Sequence, residues 1–347
     1  MAGTATVHPH HWHLPATATL RFGWPRKVAA GAMVLLGGTF VVWTLAANLF
    51  SVGPAFDRLT DGFRPIMTQQ QITGYQQQVQ GLGAAGTELN SALLPALAQQ
   101  LHVTPAQLQQ MMVQQYPNVA AGLQALPTVT PQFTALLDNL DKTQPLFASA
   151  DAIPTKDIPA KTVPWALFAV GLIGIGLGVL VWFSPRVRAP VIVALVGAAL
   201  IALPLSMNMV HKAQNADQMN ANLKPVYNQT LIDNANKSLA TLGAMGTEMQ
   251  QKMLPQLAAQ LHMTPVQMQG MIAQYAPKTA AALGGFQKTM TQFRAMIAQF
   301  DKHLGDYNTL KPVSFEPIAW LMVSGGVALF VLGGAGIAIC RGKQDAC

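Results

Sequence analysis

Residues 28–50 read VAAGAMVLLGGTFVVWTLAANLF, 23 positions without Asp, Glu, Lys, Arg or His. About 20 apolar residues in a helix cross a hydrocarbon core, so this stretch predicts a membrane span. Residues 162–184, 189–210 and 317–340 are also free of those five residue types and are of similar length. Together they explain why 51% of the chain is hydrophobic and only 10% charged, against ~25% charged in a typical soluble protein. That balance excludes a soluble globular enzyme, a disordered chain, a collagen-like fibre and a disulfide-built secreted module. Arg26 and Lys27 precede the first stretch as in a secretory signal. Its length exceeds the ~7 to 15 residues of a signal core and no small-x-small cleavage site follows, so it reads as an uncleaved anchor.

The four stretches leave two long segments, 51–161 and 211–316, and three short ones, 1–27, 185–188 and 341–347. Of the net charge of +7, the short segments contribute +6, the first long segment −2 and the second +3. Basic residues in short loops hold them in the cytoplasm, whereas long domains translocate largely regardless of charge. Both termini and the 185–188 turn are therefore expected inside, and both long segments outside. The basic excess is thus a matter of orientation. Neither long segment carries a dense basic stripe interleaved with aromatics, so no nucleic-acid partner is expected.

An offset of 160 residues aligns residues 83–123 with 243–283 without a gap, and 22 of the 41 positions are identical. The shared skeleton reads GAxGTE, then LPxLAxQLHxTPxQxQxM, then QxxPxxAAxL. Because each copy has an even number of spans, the two copies insert with the same orientation, as a parallel repeat. Leucines and methionines at helical spacing mark one helix in each copy. Thr104-Pro105-x-Gln107 and Thr264-Pro265-x-Gln267 have the residue order of a capping box with proline at N1. Phe133, Leu136, Leu137 and Leu140, with Phe293, Met296, Ile297 and Phe300, mark a final helix. Four or five helices per copy are expected, with chain breaks near 81–86 and 243–246.

Polar residues shared by both copies are the natural candidates for chemistry: Glu88 with Glu248, His102 with His262, and Asp141 with Asp301. Fourteen helical residues span about 21 Å, which puts Glu88 and His102 at opposite ends of one helix, where a carboxylate in the first turn and an imidazole in the last suit the helix dipole. The 17 methionines suggest Cu(I) transport. However, Met249, Met253, Met263 and Met268 stand opposite Leu89, Leu93, Val103 and Leu108, an exchange that packing tolerates and a metal ligand does not. The densest ligand cluster is His8, His10, His11 and His13 on the N-terminal tail, suited to adventitious divalent metal. Gly174, Gly176 and Gly178, with Gly333, Gly334 and Gly336, read as helix-packing seams. Cys340 and Cys347 leave the long segments without thiols. The spans contain no ionisable residue of the kind that ion-coupled transport uses. There is no Walker loop, HExxH or GxSxG.

These observations predict an all-α integral membrane protein with four transmembrane helices and two homologous extracytoplasmic helical domains, a tandem parallel duplication. The expected setting is a bacterial plasma membrane. The expected role is non-enzymatic and cofactor-free: a scaffold or accessory subunit whose paired domains engage a protein of a cell-envelope complex, with membrane lipids around the spans. A carrier of lipid or another apolar ligand and an envelope sensor are the alternatives. Leu93, Leu97, Leu108 and Met111, with Met249, Met253, Met268 and Met271, form the candidate ligand or partner surface.

Overall fold

The computed structural model describes residues 24–153, 158–183 and 189–341. Helices account for nearly all of these residues. In chain order they are α1 (Trp24–Ala46), α2 (Leu49–Phe63), α3 (Gln69–Glu88), α4 (Leu94–Gln100), α5 (Pro105–Gln115), α6 (Pro117–Ala150) and α7 (Thr162–Phe183). Then come α8 (Ala189–Ser206), α9 (Met209–Leu223), α10 (Gln229–Glu248), α11 (Leu254–Gln260), α12 (Pro265–Tyr275), α13 (Pro277–Leu310) and α14 (Glu316–Arg341). From α2 to α6 every boundary recurs 160 residues later, between α9 and α13.

Three helical stretches are long and apolar enough to cross a membrane: Lys27–Ala46, Thr162–Phe183 and Glu316–Ala338. A fourth exists if α8 and α9, bent by 56° at their junction, are taken as one span. The first and third apolar stretches end earlier than their composition suggests, at Ala46 and Ser206 rather than at 50 and 210. Asn48 and Asn208 cause this, with φ of 50° and 53°. Asparagine is one of the few residues that enters the left-handed region readily, and that conformation stops one helix and re-aims the next. Leu49 and Met209 consequently begin the following helices.

The apolar helices pair as α1 with α7 and α8 with α14. A side chain on Gly37 would meet the Gly171 carbonyl at 2.6 Å and the Ile175 nitrogen at 2.7 Å, so only glycine allows α1 and α7 to approach this closely. Gly197, 160 residues on, is wedged the same way against the backbone of Gly326 and Phe330. Of the glycines expected in seams, Gly174, Gly178, Gly333 and Gly336 abut the paired helix, while Gly176 and Gly334 face open space. Exposed Trp43, Trp165 and Trp320 lie toward one end of the spans and Trp182 toward the other, where the Lys27 ammonium sits 5.8 Å from its ring. Such aromatic girdles suit the two membrane interfaces.

Beyond the spans stands one bundle. Its long helices α6 and α13 have 34 residues each, about 51 Å at 1.5 Å per residue. Thr104 and Thr264 form the expected capping boxes with Gln107 and Gln267. No break occurs at 81–86 or 243–246; those glycines lie within α3 and α10. Instead a π-helical turn follows at Leu89–Leu93 and Met249–Met253, where the Leu94 and Leu254 amides donate to Leu89 and Met249. Pro95 and Pro255 supply the cause: proline has no N–H and its ring clashes with the carbonyl four residues back. The glycine signal was local, whereas the proline acts on the preceding turn.

The two halves do not build separate cores. Helix α2 packs on α13 and α9 on α6, while α3 and α10 each lie between α6 and α13. One apolar core therefore runs from Val52 through Phe133 to Phe293 and Leu310. Each large side chain buried there contributes roughly 1.5–3 kcal/mol of transfer free energy, and much of that is gained only when both halves are present.

Candidate functional site at the distal end of the bundle

Carboxylates found in both halves hold the architecture. Asp57 accepts from the Ala160 and Lys161 amides at 2.7 and 3.1 Å, just before α7. Asp217, 160 residues on, accepts from Phe315 and Glu316 at 2.7 and 2.9 Å at the start of α14. Glu88 and Glu248 cross between the halves. Glu88 Oε2 accepts from the Thr279 amide at 2.8 Å at the N-terminus of α13, and Glu248 Oε2 from Val119 at 3.0 Å at that of α6. Each carboxylate satisfies an otherwise unpaired N–H at the positive end of a helix dipole.

This corrects the expected placement of Glu88. It sits at the end of α3 rather than in a first turn, and the helix whose dipole it meets belongs to the other half. His102 and His262 end α4 and α11 one residue past the cap, with φ of 56° and 53°. Around His102, Val103 donates to the Ala98 carbonyl and His102 to that of Gln99, a Schellman closure with histidine where glycine is usual. Both imidazoles are exposed and neither is brought to a glutamate. Asp141 accepts from Gln69 Nε2 at 2.8 Å, while Asp301 is exposed without such a bond.

The candidate partner surface also needs correcting. Leu93, Leu97 and Leu108, with Met249, Met253, Met268 and Met271, are all buried in the shared core, and Met111 is partly buried against it. Their helical stripe faces inward, with α5 packed on α6 and α12 on α13, which sequence periodicity does not reveal. Of the eight, Leu108 lines an open space and Met249 a small internal cavity of about 40 Å³. His8, His10, His11 and His13 lie outside the described residues. Among the described residues no three His, Cys, Asp or Glu side chains converge as metal ligands would.

That open space is a groove of about 330 Å³ in the first half, between α4, α5 and the start of α6. Its floor is aliphatic, formed by Leu94, Leu108, Met112, Val113 and Leu123, and Asn90, Gln109 and Gln124 stand on its rim. It lies at the end of α6 remote from the spans. Its volume is at the lower edge of the ~300–1,000 Å³ of small-molecule sites. The other apolar cavities are smaller: about 20 and 40 Å³ within the bundle, and about 70 Å³ where Leu49, Met209, Phe315 and Met322 meet at the span ends. Beside the groove, Tyr116 donates to Gln256 at 2.9 Å, and Lys252 lies 5.6 Å from its ring while donating to the Gln115 carbonyl at 2.6 Å. Burial, aided by the Glu248 charge, raises the Tyr116 pKa above the usual phenol value.

A second polar cluster lies nearer the spans. Arg58 forks onto Asp306 with bonds of 2.9 and 2.6 Å, and His303 Nδ1 lies 3.2 Å from the other Asp306 oxygen. The hydrogen bond to Asp306 raises the Arg58 pKa, so the clamp of α2 on α13 stays charged. Comparison with protein families, with curated proteins and with solved structures finds no match for this chain.

Neither the groove nor the paired caps were singled out from the sequence. The 160-residue offset does pair Asp57 with Asp217, a signal that lay outside the window of high identity. Asn90 lies inside that window, opposite Gln250, whose Nε2 donates to the Leu283 carbonyl at 3.0 Å.

Proposed function

We propose that this chain is a non-enzymatic scaffold or accessory subunit of a cell-envelope complex, anchored in a bacterial plasma membrane. In this reading it is a tandem duplication with both termini cytoplasmic, and the bundle stands outside as a stalk that presents its distal end to a partner protein. The observation that carries the proposal is the groove of about 330 Å³ at the far end of the bundle, apolar-floored and larger than the polar pocket of about 240 Å³ beside Asp57 and Arg64 or the apolar cavity of about 70 Å³ at the span ends. The basic flanks of the spans support the orientation. The recurrence of helix boundaries at the offset of the sequence repeat supports the duplication.

One observation favours a lipid carrier instead: the cavity at the span ends is walled almost wholly by apolar groups. Its 70 Å³ is little more than the share of two water molecules, at ~30 Å³ each, so we place this reading second.

Two experiments in intact cells test the proposal. With Cys340 and Cys347 replaced by serine, single cysteines at the exposed positions Gln80 and Val266, both away from the groove, should react with a membrane-impermeant maleimide before lysis. Protection of either overturns the topology. A photoreactive residue at Gln109, on the groove rim, should form one dominant protein adduct, absent when the same residue stands at Gln80 on the side of the stalk. Equal adducts at both positions would remove the distal end's claim as the partner site.

A further inference from the structure

We infer that the distal groove of the first half binds an uncharged peptide segment, holding a carboxamide donor against the Leu123 carbonyl and aliphatic side chains along its floor. This rests on the reading that the bundle engages a partner protein and adds the chemistry of what is engaged.

The second half supplies the template. There Gln250 Nε2 donates to the Leu283 carbonyl at 3.0 Å, so a carboxamide of the chain itself occupies that place. At the matching positions the first half has Asn90 and Leu123. Asparagine is one methylene shorter, and Asn90 makes no side-chain hydrogen bond among the described residues. Four residues beyond Leu123 stands Pro127, which has no N–H to donate back along α6. Its counterpart Gln287 keeps that donor. The Leu123 carbonyl thus lacks two donors available to Leu283, at a groove wide enough to admit a replacement. In the open groove water can reach this carbonyl, and an incoming amide that displaces the water replaces it with a direct hydrogen bond, whereas a group that displaces water without donating leaves the acceptor unpaired at a cost of ~1–3 kcal/mol.

Charge decides what kind of amide. Residues 89–117 include no Asp, Glu, Lys or Arg, and Lys252, beside the groove, is already engaged on Gln115 and the Tyr116 ring. A charged side chain entering this groove would lose its hydration and gain no counter-ion. A glutamine or asparagine flanked by aliphatic residues meets the Leu123 acceptor, the Leu108 and Met112 floor, and the free amides of Gln109 and Gln124.

Met112 gives the test its reporter. The full-length protein, in lipid nanodiscs and labelled with ¹³C at the methionine methyls, is titrated with acetyl-Leu-Gln-Leu-amide and then with acetyl-Leu-Glu-Leu-amide. The Met112 resonance should shift saturably with the first probe and about tenfold more weakly with the second, the discrimination expected when a buried acceptor loses its donor, while Met271 stays unmoved. Asn90→Gln, which restores the internal donor of the second half, should weaken the first probe about tenfold on the same ground. A silent Met112, equal responses to the two probes, or indifference to Asn90→Gln overturns the inference. If the Gln109 adduct forms in cells while Met112 stays silent, this inference fails and the scaffold reading stands. Probe binding without any adduct supports the groove chemistry and removes the scaffold reading.

Discussion

His102 and His262 show how a single residue can carry a cost without a catalytic reason. Left-handed backbone costs a side-chain-bearing residue roughly 1–2 kcal/mol, and both imidazoles are exposed with no hydrogen bond that would offset it. His102→Gly should therefore raise stability by about 0.5–1 kcal/mol and His102→Val lower it, measured by denaturant unfolding in detergent. No gain from glycine would show that the imidazole makes a compensating contact. At the other end of the bundle, burial raises the phenol of Tyr307 to about 12, and burial with the Asp306 charge raises that of Tyr227 further. Below pH 10 these phenols are neutral folded and unfolded, so their burial is uncompromised. Above it the unfolded chain loses protons that the folded chain retains, so stability should fall as pH rises from 10 toward 12. Alkaline unfolding followed by tyrosinate absorbance should show these two phenols ionising together with loss of structure. Their free titration in the folded protein near pH 10 would contradict the burial described.

Elements in this molecule are set by small exceptions to regularity. Asn48 and Asn208 end spans, Pro95 and Pro255 force π-turns, and Gly37 and Gly197 let spans touch. The last of these gives a sharp contrast between two glycines of the same apolar type. Gly37→Ala should cost about 1–3 kcal/mol, because its methyl meets backbone atoms that cannot rotate away. Gly176→Ala should be neutral, since nothing lies within 4 Å. Thermal unfolding of both variants, read by tryptophan fluorescence, checks the pair, and equal effects would mean that α1 and α7 do not pair along this seam. The seam was partly visible in the sequence, but composition alone could not tell Gly174 from Gly176. Which glycine faces a neighbour depends on helix rotation, and an apolar helix surrounded by apolar side chains leaves no polar face to mark it.

The whole molecule is held by exchange between its halves. Glu88 and Glu248 each reach across to a helix of the other half, and α2 and α9 pack on α13 and α6 respectively. Cutting the chain between Arg186 and Val187 tests this arrangement. Residues 1–186 or 187–347 expressed alone should be digested readily by added protease, whereas co-expression should restore resistance and a single unfolding transition. Two halves that unfold cooperatively in isolation would indicate separate cores. Truncating Glu88 to alanine in the intact chain should cost about 1–3 kcal/mol by leaving the Thr279 amide unpaired, and adding Glu248→Ala should cost a similar amount again.

By itself the sequence determined the helical class, the apolar stretches, the capping boxes at Thr104 and Thr264 and the two-copy pattern. Each is written in local composition or spacing, through the thickness of a bilayer, the geometry of a first helical turn or the identity of matched positions. Tertiary structure decided where the leucine and methionine stripes point, which helix end each glutamate meets, and that a groove stays open beside Asn90 while Gln250 fills the matching place. The reason is physical. A helical stripe shows that a face is apolar but not which helix covers it, and two halves with the same pattern of helices can pair within themselves or across. Only the packed core distinguishes these alternatives, because their difference lies in contacts between residues more than a hundred positions apart.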